Sequence, residues 1–232
     1  METLESELDR ARDLSVADLA DAIESIGFEC TRCGACCKAE TGCGDEGEDA
    51  DGSGDDPHTA TIFPDEIRTI QEGGDYDFRD VARPMPYGLS EGEAGPEGET
   101  FEWALQTDDC GDCTFYEESE TADGDGACTV HGDRPLVCQT YPFSVALGGT
   151  SQPMGEAVDG EGMVRAHECE GLGRDISRAA AEDLAGALKE RAVRELEEAI
   201  AVRDGYEPTD PGPGEVVVHD SEGPKRPDGT FL

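Results

Sequence analysis

Between residues 30 and 37 the chain reads Cys30-Thr31-Arg32-Cys33-Gly34-Ala35-Cys36-Cys37, which places four thiols in eight positions. Inert cysteines occur singly among apolar neighbours, and Thr, Arg, Gly and Ala are not such neighbours. Two residues between cysteines let a loop curl so that both sulfurs face one metal ion, and Gly34 can take the positive φ that such a curl needs. Cys36 and Cys37 are adjacent, so their side chains are expected to diverge and to serve two centres, or a bridging role, rather than one tetrahedral ion.

The rest of the composition calls for something other than a large apolar core to hold the fold. Leu, Ile, Val and Phe supply 39 of 232 residues, below the roughly 20% under which a highly charged chain fails to bury a core by itself. Ten cysteines are the available substitute, because metal ligation supplies folding free energy that apolar burial does not. The net charge is −39, and the acids run from Glu2 to Asp228 rather than in one block. Such a field repels phosphate backbones and anionic membrane surfaces, which excludes nucleic acid and membrane as partners. It also opposes compaction in dilute buffer, whereas the Debye length shrinks to roughly 3 Å at 1 M salt. The expectation is a halophilic, acidic protein of a salt-rich cytoplasm. The first residues, Met1 to Glu7, lack the cationic and apolar regions of an export signal. No apolar run approaches the roughly 18 residues of a membrane span, and a cytoplasmic location follows as the expectation. In a reducing compartment, thiols bind metal rather than pair.

Helical spacing joins Leu4 and Leu8, then Val16, Leu19, Ile23 and Ile26, with Ser15 as N-cap and Gly27 as stop. Asp45 to Asp56 is nearly all Asp, Glu and Gly and reads as a mobile loop. Pro64 opens a short helix through Ile67 and Ile70 that Gly73-Gly74 ends. Phe101, Trp103 and Leu105 alternate with Glu102, Ala104 and Gln106, predicting a strand with one buried face. Further short strands are expected at 114–116, 129–130 and 143–147, with surface loops at 88–98 and 123–126. The alanine-rich stretch from Ser177 to Arg203 is the strongest helix. The fold class is α+β, a small loop-rich domain organised around a cysteine-ligated metal centre. Residues 1–27 form an N-terminal helical segment, 28–175 the cysteine domain, 176–204 a C-terminal helix, and 205–232 a flexible tail.

The spacing of Cys30, Cys33 and Cys36 is similar to the ligand run of ferredoxin-type iron–sulfur loops, whose fourth ligand lies further along the chain. Later cysteines are Cys113 before Thr114-Phe115-Tyr116, Cys128 before Thr129-Val130, Cys138 within Arg134-Pro135-Leu136-Val137-Cys138, and Cys169 before Glu170-Gly171. The whole set resembles the cysteine-cluster family of zinc- or iron-chelating domains of the CxxCxxCC type. That family shows an aromatic-led Cys-x-x-Cys-Gly-x-Cys-Cys, then an Arg-Pro-x-x-Cys-x-x-Tyr-Pro-Phe segment. Here Phe28 leads the first, and Arg134-Pro135, Cys138 and Tyr141-Pro142-Phe143 match the second. Pro64-Asp65-Glu66-Ile67 stands where the family has a short helix. The resemblance spans residues 28–175. His131 replaces an aromatic and Gln139 an Arg, departures that touch surroundings of the site rather than the cysteines. The resemblance implies metal ligation by Cys30, Cys33, Cys36, Cys37, Cys113, Cys128, Cys138 and Cys169, and brings no substrate.

Other candidates are weaker. Cys43 and Cys110 lie outside the pattern, although Cys110-Gly111-Asp112-Cys113 has knuckle spacing. His131 and His167 stand near cysteines, with packing or surface roles favoured over ligation. Asp49, Asp51, Ser53 and Gly54 imitate the start of a calcium loop, but its twelfth position is Ala60. The cofactor expected is an iron–sulfur cluster ahead of zinc, in a metal-binding protein with a redox role. A zinc-stabilised interaction module is the alternative. So is a cluster-dependent protein-modifying enzyme, since the cysteine pattern also resembles that of flagellin lysine methylases; no methyl-donor loop accompanies it. No protein partner is specified.

Overall fold

A computed structural model describes residues 3–39, 57–118, 126–147, 157–159 and 162–232. The chain divides into two compact units, each built from two separated stretches: residues 1–31 with 136–204, and residues 32–135 with 205–232.

The first unit begins with helices α1 (Leu4–Asp13) and α2 (Val16–Ile26). Ser15 caps α2, its Oγ accepting from the Asp18 amide at 3.3 Å, and Gly27 ends it at φ 78°. The unit's remaining elements are the five-residue helix α5 (Leu136–Thr140), strands β8 (Phe143–Val145), β9 (Ala157–Asp159) and β10 (Val164–His167), and the 28-residue helix α6 (Arg178–Gly205). The three strands form an antiparallel sheet in the order β8-β10-β9. Ala181, Ala185, Leu188, Ala192 and Leu196 recur along one stripe of α6 and are buried with Leu8, Leu19 and Ile23 from the N-terminal helices and Phe143 and Val164 from the sheet. The terminal helices are therefore half of this core rather than appendages to a domain at 28–175. Small residues on the α6 stripe let a chain poor in large aliphatics still exclude water.

In the second unit, β1 (Thr61–Ile62), β5 (Trp103–Leu105) and β2 (Ala82–Pro84) make one sheet in that order, accompanied by α3 (Pro64–Gly73) and α4 (Phe78–Val81). Pro64 occupies the first turn of α3, and Glu66 reaches back to accept from the Phe63 amide at 3.0 Å. The alternation at 101–106 predicts one buried face, but Trp103, Ala104 and Leu105 are all buried, because other segments pack over both faces of β5, Phe78 edge-on against the Trp103 ring among them. Phe101 lies outside that strand and is 43% exposed.

A second sheet runs β12-β11-β4-β3, with β3 (Leu89–Gly92), β4 (Gly95–Thr100), β11 (Val216–Asp220) and β12 (Gly223–Lys225). Two sequence expectations change here. Residues 88–98 form most of the β3–β4 hairpin rather than a loop. Residues 205–232 are not a tail: β11 lies parallel to β4, with Val217 opposite Glu99. The Val216-Val217-Val218 run favours a strand, and Asp220 inside it accepts from Trp103 Nε1 at 2.8 Å and Lys225 Nζ at 2.7 Å. The antiparallel pair β6 (Tyr116–Glu117) and β7 (Ala127–Cys128) completes the unit, with β7 two residues earlier than the strand expected at 129–130. The acidic stretch 45–56 and most of 123–126 lie outside the described residues.

Candidate metal centre

The eight pattern cysteines are all thiols. Cys30, Cys138 and Cys169 belong to the first unit, and Cys33, Cys36, Cys37, Cys113 and Cys128 to the second. Cys110 is disulfide-bonded, so its sulfur is withdrawn from the donor set despite the knuckle spacing. Cys43 and the calcium-like Asp49, Asp51, Ser53 and Gly54 lie outside the described residues.

In the second unit the chain makes two left-handed steps, at Arg32 (φ 60°) and Gly34 (φ 78°), and then a single 3-10 turn over Ala35–Cys37, closed by the Cys37 amide on the Gly34 carbonyl at 2.7 Å. Left-handed backbone costs an Arg roughly 1 kcal/mol. The Gly126 amide, donating to the Arg32 carbonyl at 3.0 Å, helps hold it there. Gly34 is required twice over, because a Cβ there would stand 2.1 Å from the Tyr116 ring. That ring is pressed equally on Gly126, its hydroxyl donates a long bond of 3.4 Å to the Cys33 carbonyl, and Lys38 Nζ lies 5.5 Å above its face. Nothing in the sequence marks Tyr116 as the support of the cysteine loop, since it follows Cys33 by 83 residues.

The later cysteines are stitched onto this loop by backbone bonds. The Cys113 amide donates to the Cys37 carbonyl at 2.8 Å, and Asp112 accepts from the Ala39 amide at 2.8 Å. Cys128 faces Tyr116 across the β6–β7 pair. The Cys36 and Cys37 sulfurs lie 3.9 Å apart. This corrects the expectation that adjacent side chains diverge: the tight 3-10 turn and the rotamers chosen bring the two sulfurs together. The Cys37 contact, assisted by the Cys36 amide and by Arg134 against opposing burial, brings the Cys36 thiol down to about 7. Burial pushes Cys113 up to about 11, with Cys128 and Cys36 adding like-charge repulsion. Burial likewise raises Cys128, to which Cys36 contributes and which Arg134 opposes. Cys36, Cys113 and Cys128 thus share one electrostatic neighbourhood, with Arg134 as its cation. Arg134 is fixed by its Nε donating to the His131 carbonyl at 3.0 Å.

In the first unit, Phe28 pairs with Leu172 in an isolated bridge, and the Glu29 amide donates to the Gly171 carbonyl at 3.0 Å, which brings the Cys30 segment beside the Cys169 turn. The Gly171 amide donates to Cys169 Sγ at 3.4 Å. Cys138 sits on α5, whose following residue Tyr141 donates its hydroxyl to the Glu168 carbonyl. His167 is buried, its Nε2 sharing a 2.8 Å hydrogen bond with Ser144 Oγ, while His131 is exposed. Gln139 is exposed as well.

Among the described residues, no three His, Cys, Asp or Glu side chains converge as a group able to hold a metal ion. The donor chemistry fits thiophilic ions, zinc and iron, and not calcium or magnesium, which take oxygen. No helix among the described residues is long and apolar enough to cross a membrane.

The family model CxxCxxCC, "Putative zinc- or iron-chelating domain", covers residues 29–170. No curated protein and no solved structure matches.

Proposed function

The chain belongs to the CxxCxxCC family of zinc- or iron-chelating domains, and from that premise we propose that it holds a zinc or iron ion through the thiolates of Cys36, Cys37, Cys113 and Cys128. The observation that carries this reading is the 3.9 Å separation of the Cys36 and Cys37 sulfurs. Metal–sulfur bonds of about 2.3 Å in a tetrahedron give a sulfur–sulfur edge of about 3.8 Å. A pair at that separation suits two corners of one mononuclear site. The backbone bond from Cys113 to Cys37, and the electrostatic interaction of Cys36 with both Cys113 and Cys128, support adding those two thiols to the set. Four thiolates on a divalent ion leave a charge of −2, which Arg134 offsets locally in a chain of net charge −39.

A second reading is an iron–sulfur cluster with a redox role. The Cys-x-x-Cys-x-x-Cys spacing favours it, as does a number of thiols beyond the needs of one ion. In both readings the centre supplies folding free energy to a chain short of large aliphatics, and the acidic surface suits a salt-rich cytoplasm. A zinc site would make this an interaction module stabilised by its metal, whereas a cluster would equip it for electron transfer or protein modification.

Anaerobic purification, metal analysis and a visible spectrum separate these. One equivalent of zinc, or of iron without inorganic sulfide, supports the mononuclear site. Brown protein containing sulfide, whose colour bleaches on reduction, supports the cluster. Protein that retains neither metal nor affinity for either refutes both.

A further inference from the structure

Three of the four thiols in the proposed site stand on two segments of the second unit: Cys36 and Cys37 on the 3-10 turn, and Cys113 directly after residues 108–112. The two segments meet in a pair of neighbouring hydrogen bonds. The Cys113 amide donates to the Cys37 carbonyl at 2.8 Å, and Asp112 Oδ1 accepts from the Ala39 amide, also at 2.8 Å. A single bond would let one segment pivot on the other. Two in succession fix direction as well as distance.

The turn that carries Asp112 is itself closed. Asp108 Oδ1 accepts from the amides of Cys110 at 2.8 Å and Asp112 at 3.0 Å, and the Asp108 amide donates to the Asp112 carbonyl at 2.8 Å. Thr107 bridges to Cys113 across the turn, and the His58 amide ties it further through the Gly111 carbonyl at 2.8 Å. Gly111, at φ 80°, allows a close approach to the cysteine segment, since an added Cβ would stand 3.2 Å from that of Ala39.

Charge is a poor reason for an acid at this place. Like charge beside a group disfavours its ionised form, and Asp112 directly precedes one of four thiols that must ionise to hold a metal. Its carboxylate is half-buried and committed to a backbone amide. What Asp supplies there is a planar acceptor of short reach. We infer that Asp112 is a positioning residue for the thiolate site, fixing Cys113 against the Cys36–Cys37 turn through Oδ1 and in spite of its charge. This rests on the four-thiolate reading and adds to it a residue outside the cysteine pattern.

The test uses the full chain in molar potassium chloride, without oxygen and without added thiol so that the Cys110 disulfide stays formed. Two substitutions separate geometry from charge. Asp112→Asn keeps an oxygen at the same reach and removes the charge, whereas Asp112→Glu keeps the charge and displaces the oxygen by a methylene. Zinc affinity is read by chelator competition, and the thiolate count by the charge-transfer absorbance of the cobalt(II)-substituted protein. Loss of an outer partner of a ligand commonly costs about 10–100-fold in metal affinity, so Asp112→Glu is expected to bind zinc about ten-fold or more weakly. It should also lose about a quarter of the cobalt–thiolate absorbance, the share of one ligand in four. Asp112→Asn should bind at least as tightly as the parent, with full absorbance. Added to Cys113→Ser, Asp112→Glu should cost nothing more, because it acts through that ligand. Should Asp112→Glu fail to fold, Asp112→Ala removes the oxygen outright and the same losses are expected. Parent affinity in folded Asp112→Glu or Asp112→Ala, or an equal loss in Asp112→Asn, overturns the inference while the chelation reading stands. A parent that binds neither zinc nor cobalt refutes the chelation reading, and the inference with it.

Discussion

Replacing Gly34 by Ala places a methyl group where the structure leaves no room. The added Cβ would stand 2.1 Å from the tip of the Tyr116 ring, on a backbone at φ 78°. Two costs follow. The left-handed conformation disfavours Ala by roughly 1–2 kcal/mol. Overpacking against a ring held by the β6–β7 pair and pressed on Gly126 adds about 1–3 kcal/mol. The total is about 2–5 kcal/mol, a large part of the roughly 5–15 kcal/mol that stabilises a typical domain. The two contributions can be separated. In a Tyr116→Ala background the clash disappears and the backbone cost alone remains, so the same substitution should then cost about 1–2 kcal/mol. The coupling between the two sites is therefore expected at about 1–3 kcal/mol, within the range found for residues in contact. Urea unfolding of the four proteins of this cycle, in molar potassium chloride and with metal removed, measures it. Zinc retention should fall alongside, because Gly34 shapes the turn between Cys33 and Cys36. An equal cost of Gly34→Ala in both backgrounds would refute the claim that Tyr116 is the wedge supporting the cysteine loop.

Three further outcomes are expected. Unfolding midpoints should climb steeply from dilute to molar salt, because a net charge of −39 is screened; a midpoint indifferent to salt removes the charge argument. Cys113→Ser and Cys128→Ser should each lower metal content and stability, while a variant lacking Cys43 should lose much less; the reverse order in metal analysis contradicts the assignment of ligands. Glu99 is pushed up by burial, but hydrogen bonds from Thr209, His219 and Tyr206 outweigh this and hold its carboxyl at about 2. A depressed carboxylate stabilises the fold fully above its ordinary value of 4.5 and loses that contribution as pH falls toward about 2. Glu99→Gln should accordingly be less stable than the parent near neutrality and converge on it across that window in acid denaturation; a constant difference throughout would be the contrary result.

The sequence alone determined what depends on neighbours along the chain. Ser15 and Gly27 bracket α2, Pro64 and Gly73 bracket α3, and the alanine-rich stretch is α6, because caps, stops and helical stripes act over three or four residues. The thiol spacing of residues 30–37 likewise carries its metal chemistry wherever the chain folds. Tertiary structure decided the remainder, and in each case through partners remote in sequence. A one-faced alternation around Trp103 became a fully buried strand once remote segments packed over both of its faces, Phe78 against the Trp103 ring among them. A Pro- and Gly-rich terminus became β11 because β4, more than a hundred residues earlier, offered an edge and Trp103 a partner for Asp220. The division of the thiols between two units, the approach of the Cys36 and Cys37 sulfurs, the disulfide at Cys110 and the wedge at Tyr116 have no local signature. Spacing fixes which donors a loop can offer; only packing against distant backbone fixes where each sulfur stands, since a sulfur's direction depends on φ, ψ and rotamer choices that those contacts select.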